Sequence, residues 1–68
     1  MTPAEQIQTI LRHPDWSELR LANELEVTQP TVNRIKKGRR LPSYTLSLKI
    51  EAICDRVKRT KAVREASL

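Results

Sequence analysis

The sequence contains few of the residues on which many functional sites depend. Its 68 residues include one cysteine, Cys54, so no disulfide can form within the chain. The one histidine, His13, lies far from Cys54, so the pattern indicates no metal site. One glycine, Gly38, is too few for a phosphate-cradling loop. No Ser/His/Asp or Cys/His set is assembled either, so we expect no enzyme, no cofactor and no small-molecule ligand.

Aromatic residues and long apolar segments are scarce as well. Trp16 and Tyr44 are the two aromatic residues, a poor platform for stacking the bases of a single strand. No apolar run approaches the ~20 residues of a transmembrane helix. The first residues also lack the basic start and apolar stretch of a signal peptide. We therefore expect a cytoplasmic protein with no membrane partner.

Positive charge, by contrast, is abundant and unevenly placed. Thirteen Lys and Arg against eight Asp and Glu leave a net charge of +5. Residues 1–27 carry a net −3, residues 28–40 a net +5 without one acid, and residues 41–68 a net +3. A compact basic block is either a solvated face or a binding surface for a polyanion, and neutralising phosphates with release of counterions favours nucleic acid. Residues 34–40 lack the broad apolar face of a membrane-surface helix.

The spacing of apolar residues predicts an all-α fold with one domain over residues 1–57. Thr2 and Glu5 form a predicted capping box, and Pro14 ends the first helix. Ser17 and Thr28 are expected to begin the second and third helices, and Pro42-Ser43 to open the fourth. The predicted apolar positions are Ile7, Ile10, Leu11, Leu21, Ala22, Leu25, Val32, Ile35, Leu46, Ile50, Ile53 and Val57. Residues 58–68 read as a basic tail or a frayed helix, and Cys54 as a small core residue.

The second and third predicted helices, with about three residues between them, form a helix-turn-helix from Asp15 to Lys37. In this motif the first helix lies across the phosphate backbone, and the second helix inserts its N-terminal side chains into the major groove. Each base pair presents a distinct set of donors and acceptors there. The predicted base-contacting residues are Thr28, Gln29, Pro30, Thr31, Asn33 and Arg34. Thr28 and Asn33 are equally suited to helix ends, and Arg34 to a phosphate.

These residues resemble the Xre/Cro-type helix-turn-helix family over positions 16–54. The matching motifs are Leu21-Ala22, Leu25-Glu26-Val27, Thr28-Gln29-Pro30-Thr31-Val32, Gly38-Arg39-Arg40 and Pro42-Ser43. The resemblance implies a lambda-repressor-like, compact bundle of four to five short helices. It also implies a Cro-like repressor, as in phages and mobile elements, that binds double-stranded DNA as a homodimer on a (pseudo)palindromic operator. In such a protein Gln29 and Arg34 contact bases.

The resemblance and the basic block together indicate phosphate contacts at Ser17, Lys37, Arg39, Arg40 and Tyr44. Tyr44 is alternatively placed at a dimer interface, which we expect around Leu41, Tyr44 and Cys54–Val57. Two positions depart from the family pattern. Glu26 replaces the turn glycine and must tolerate a left-handed or strained conformation at a cost of about 1 kcal/mol. Glu18 replaces a glutamine that bonds a phosphate, and its charge would repel one, so this contact is not expected here.

A different class of function is also compatible with the sequence. An antitoxin-like or adaptor module would use its helical face and basic residues to bind an acidic protein. Such a module has no need of the hydrogen-bonding side chains at Gln29, Asn33 and Arg34. Those three residues therefore favour the DNA-binding hypothesis.

Overall fold

The fold consists of four helices, as seen in a computed structural model that describes the backbone of residues 2–67 and the side chains of residues 2–59. The helices are α1 (Pro3–Leu11), α2 (Glu18–Leu25), α3 (Gln29–Lys36) and α4 (Tyr44–Ser67). No strand occurs within the described backbone. The all-α prediction is confirmed, and four helices agree with the expected four to five.

The start of α1 carries the predicted capping box. The Glu5 backbone N–H donates to the Thr2 hydroxyl at 3.2 Å, and the Thr2 backbone N–H donates to the Glu5 carboxylate at 3.3 Å. These bonds satisfy donors that have no partner within the first turn of a helix. Hydrogen bonds from Thr2 also lower the pKa of Glu5. At the other end of α1, the His13 ring accepts from the Asp15 backbone N–H at 3.2 Å, which closes the turn around Pro14.

One apolar core joins the four helices. α4 packs on α1 and α2, and α3 packs on the same two helices. The buried residues are Ile7, Ile10, Leu21, Ala22, Leu25, Val32, Ile35, Ile50, Ile53, Cys54 and Val57. Leu11, Trp16, Val27 and Leu46 are partly buried against them. The predicted apolar stripes therefore face the core, with Leu11 and Leu46 at its margin, and Cys54 is the small core residue expected.

The turn between α2 and α3 has the geometry that the sequence predicted. Glu26 lies in the left-handed region at φ 59° and ψ 39°. The Val27 backbone N–H then donates to the Ala22 carbonyl at 2.9 Å, which turns the chain sharply between the two helices. The Glu26 carboxylate accepts from Lys49 Nζ on α4 at 3.3 Å. Glu26 thus occupies a glycine-like position while its side chain reaches the fourth helix.

A short loop separates α3 from α4. Gly38 has φ 75°, and the Arg39 backbone N–H returns to the Arg34 carbonyl at 2.9 Å, a left-handed helix end that favours glycine. Ser43 precedes α4, and its hydroxyl accepts from the Leu46 backbone N–H at 3.3 Å. α4 continues beyond Val57 to Ser67. The side chains of the predicted tail from Thr60 onward lie outside the described residues.

Candidate nucleic-acid interface

Helix α3 is held by one face and exposed on the opposite one. Val32 and Ile35 are buried against the core. The Gln8 side-chain amide on α1 donates to the Lys36 carbonyl at 3.1 Å, which fixes the C-terminal end of α3. At 100° per residue, Pro30 and Arg34 point roughly opposite to the buried side. The outer face of α3 is therefore exposed, while its inner face and its C-terminal end are held by the core and by α1.

The predicted base-contacting residues fall into two groups. Thr28, Gln29, Pro30 and Arg34 are exposed, whereas Thr31 and Asn33 are half-buried. Gln29, Pro30, Asn33 and Arg34 line one shallow groove together with Glu18, Lys37 and Arg39. The structure thus places the amide and guanidinium candidates side by side, with Thr28 and Thr31 outside that groove.

Thr28 occupies the N-cap position of α3, as predicted, but its side chain accepts no hydrogen bond from the helix backbone. Its hydroxyl lies 2.9 Å from the Thr31 hydroxyl and exchanges a hydrogen bond with it instead. Pro30 explains part of the difference, because its ring nitrogen has no hydrogen to donate in the first turn. The two hydroxyls form a small polar pair at the tip of α3.

Glu18 makes contacts that sequence reasoning missed. Its Oε1 accepts from Asn33 Nδ2 at 3.4 Å and from Lys36 Nζ at 3.3 Å. Gln29, Asn33 and Lys36 follow a spacing of four and three residues, so they form one polar stripe along α3 that faces the start of α2. That spacing was the signal in the sequence, but nothing in it showed that the stripe faces Glu18, which is 15 residues from Asn33.

The environment of Glu18 favours its ionised form. The hydrogen bond from Asn33 is the largest cause that lowers the pKa of Glu18, partial burial opposes it, and Lys36 and Gln29 lower the pKa further. A carboxylate that accepts several hydrogen bonds beside a cation remains charged. Glu18 is therefore a fixed negative group next to the outer face of α3.

Four cations of the basic block are exposed and unpaired. Arg34, Lys37, Arg39 and Arg40 are exposed, and none of them forms an ion pair with another described residue. Lys36 is different, since it is half-buried and paired with Glu18 at 3.3 Å. The positive potential of the region thus comes from the outer face of α3 and the loop after it.

The other two predicted phosphate-contacting residues lie at the starts of helices. Ser17 is exposed at the N-cap of α2, where its hydroxyl accepts from the Arg20 backbone N–H at 3.1 Å. The hydroxyl retains a hydrogen to donate. Tyr44, the first residue of α4, is 79% exposed. Arg20 itself is occupied: its guanidinium stacks 4.2 Å from the Trp16 ring centre and donates to the Asp15 carbonyl at 2.7 Å.

Among the described residues, no group of three or more His, Cys, Asp and Glu side chains is arranged to hold a metal ion. Over the same part of the chain, no helix has the length and apolar character needed to cross a membrane.

Comparison with known proteins gives one family. The sequence model of the family described as helix-turn-helix matches residues 7–60, which include all the buried core residues and all the candidate contact residues. No curated protein and no solved structure shows significant similarity to the chain. The matched range begins in α1 and ends in α4, so it contains the support of α3 as well as α3 itself.

Proposed function

The chain belongs to the helix-turn-helix family, and we propose that it is a Cro-like repressor that binds a (pseudo)palindromic operator as a homodimer. Membership places it among DNA-binding transcription regulators. The observation that carries the proposal is a groove along α3: it is lined by the amides of Gln29 and Asn33 and by three exposed cations that form no ion pair with another described residue, Arg34, Lys37 and Arg39. Cations supply affinity for any duplex, whereas amides and Arg34 supply choice of sequence.

The position of each side chain indicates whether it contacts a phosphate or a base. Arg39 and Arg40, in the loop after α3, neutralise phosphates together with Lys37, and the Ser17 hydroxyl donates to a phosphate at the start of α2. Gln29, in the first turn of α3, reads adenine through its amide, and Arg34 reads guanine through its guanidinium. The two side chains are five residues apart and diverge by about 140°, so they address different base pairs. Thr28, Pro30, Thr31 and Asn33 complete the base-facing surface.

A homodimer is proposed because one recognition helix reads only a few base pairs. Leu41 and Tyr44 are about four-fifths exposed, and Leu48, one turn beyond Tyr44 on α4, is about half exposed. Large apolar side chains exposed together favour contact with another protein surface. Cys54 and Val57, which the sequence also assigned to the interface, are buried in the protein's own core, so a partner cannot contact their side chains. The proposed interface is therefore the Leu41–Leu48 surface beside the phosphate-binding loop.

Selection from a random pool of duplexes tests the function. The expected result is a symmetric site with half-sites about 10 base pairs apart, bound by two chains. A pool without enrichment, combined with tight binding to an acidic protein, would favour the adaptor function instead.

The interface has its own test on the selected site. Leu48→Ser should reduce cooperative binding to the full site and leave affinity for an isolated half-site unchanged. Leu19→Ser is the matched control, since Leu19 is 58% exposed on α2, outside the proposed interface. Equal effects of the two variants would count against an interface at Leu48.

A further inference from the structure

An acidic side chain lies within the proposed DNA-reading surface. Glu18 shares the groove with Gln29, Asn33 and Arg34, although a carboxylate there repels the phosphates that the neighbouring cations attract. A repulsive group in that position needs a compensating role. Its hydrogen bonds indicate one, and the inference that follows rests on the proposed function.

The carboxylate contacts the amide side chains on the polar stripe of α3. Asn33 Nδ2 lies 3.4 Å from Glu18 Oε1, and Gln29 lines the same groove, where its side chain also lowers the pKa of Glu18. Lys36, at the C-terminal end of the stripe, donates from Nζ to the same oxygen at 3.3 Å. Glu18 has about a quarter of its side chain exposed, so these contacts are partly shielded from water.

An ionised carboxylate only accepts hydrogen bonds, whereas an amide has a donor end and an acceptor end. An amide beside Glu18 must therefore turn its NH₂ group toward the carboxylate. Its oxygen then points away, and the second hydrogen of the NH₂ group remains available. If the amide turned over, two oxygens would face each other and the hydrogen bond would be lost. Glu18 thus selects one of two amide orientations that would otherwise have similar energies.

The selected orientation has a consequence in the major groove. Adenine offers a donor at N6 and an acceptor at N7, and cytosine offers a donor at N4. An outward amide oxygen accepts from these amino groups, and the spare N–H reaches N7 of adenine. Guanine offers O6 and N7, and thymine offers O4, so both favour an amide with its NH₂ group outward. We infer that Glu18 is a positioning residue that directs Gln29 and Asn33 toward adenine and cytosine, the bases with an exocyclic amino group in the major groove.

The test compares Glu18→Gln with Glu24→Gln. Both variants remove one negative charge from α2, but the Glu24 side chain is exposed and has no hydrogen bond or ion pair to another described residue. The new amide of Glu18→Gln donates as well as accepts, so it no longer imposes an orientation. Affinities are measured on the selected site and on duplexes in which each adenine or cytosine facing α3 is exchanged for guanine or thymine.

We expect Glu18→Gln to bind all duplexes more tightly, while its preference for the amino-bearing bases falls by about fivefold or more. Glu24→Gln should retain the full preference. Lys36→Met provides a second variant, because it removes the ion pair and leaves the acceptor in place. Lys36→Met should weaken folding, as seen in its melting temperature, without changing the base preference of the folded protein.

A double-variant cycle separates positioning from general support of the fold. If Glu18 acts through the amides, Glu18→Gln should have no further effect on base preference in a Gln29→Ala/Asn33→Ala background. An unchanged preference in Glu18→Gln, or an equal loss in Lys36→Met, would overturn the inference. The proposed function would survive either result if the wild-type protein still discriminates its selected site from scrambled duplex. Loss of that discrimination in the wild type would refute the function itself.

Discussion

The charge of the loop after α3 predicts how binding depends on salt. Lys37, Arg39 and Arg40 are exposed and form no ion pair with another described residue, so they give about three neutralised phosphates for one chain on a half-site. The slope of log affinity against log salt is about −0.9 per phosphate, hence about −2.7 for the wild type. Arg39→Ala should bring the slope to about −1.8. Between 50 and 200 mM salt, affinity should then fall by about 12-fold rather than about 40-fold.

Fluorescence anisotropy on a half-site duplex measures these slopes. Selected and scrambled duplexes should show the same change, because a phosphate contact carries no sequence information. Lys49→Ala is the control: it also removes one positive charge, but Lys49 is already paired with Glu26 at 3.3 Å. Its slope should stay near that of the wild type. An unchanged slope in Arg39→Ala would refute the phosphate contact, and equal flattening in Lys49→Ala would show that only net charge matters.

Three further predictions concern folding. Ile50→Ala should lower the free energy of unfolding by about 2–5 kcal/mol in urea titration, since Ile50 is 0% exposed at the centre of the core. Glu26→Gly should raise the melting temperature, because relief of the left-handed φ, about 1 kcal/mol, exceeds the small loss of an exposed ion pair with Lys49. The lowered pKa of Glu18 means that its contribution to stability is present above its ordinary pKa of 4.5 and is lost as pH falls through the folded value. Glu18→Gln should therefore be less sensitive to pH below 4.5 when thermal unfolding is followed by circular dichroism.

Local rules account for most of the fold that was predicted. The capping box of Thr2 and Glu5 and the left-handed Glu26 and Gly38 each depend on a few neighbouring residues. Apolar periodicity is also a local pattern, and it identified the buried face of every helix. Thr28 is the N-cap residue of α3 as predicted, but it makes no capping hydrogen bond, because its hydroxyl has a competing partner in the Thr31 hydroxyl and no helix rule ranks those two bonds.

The candidate site was less accessible to sequence reasoning. The residue types and their spacing along α3 identified the side chains that face outward. The structure adds that some of these side chains are exposed and others are half-buried. The pairing of Glu18 with Asn33 and Lys36 depends on how closely α2 crosses α3, which no local pattern contains. The predicted dimer interface failed at Val57 for a different reason: Val57 belongs to the apolar stripe that packs in the core, so it cannot also contact a partner.

The most direct test of sequence reading by α3 is the ratio of affinities for selected and scrambled duplexes at one salt concentration. Gln29→Ala should lose about 1–3 kcal/mol on the selected site and little on the scrambled one, with relaxed preference at one base pair. Arg34→Ala should do the same at a different base pair. If both variants leave the ratio at its wild-type value, α3 does not read sequence, and the account of this protein as a sequence-specific regulator is contradicted.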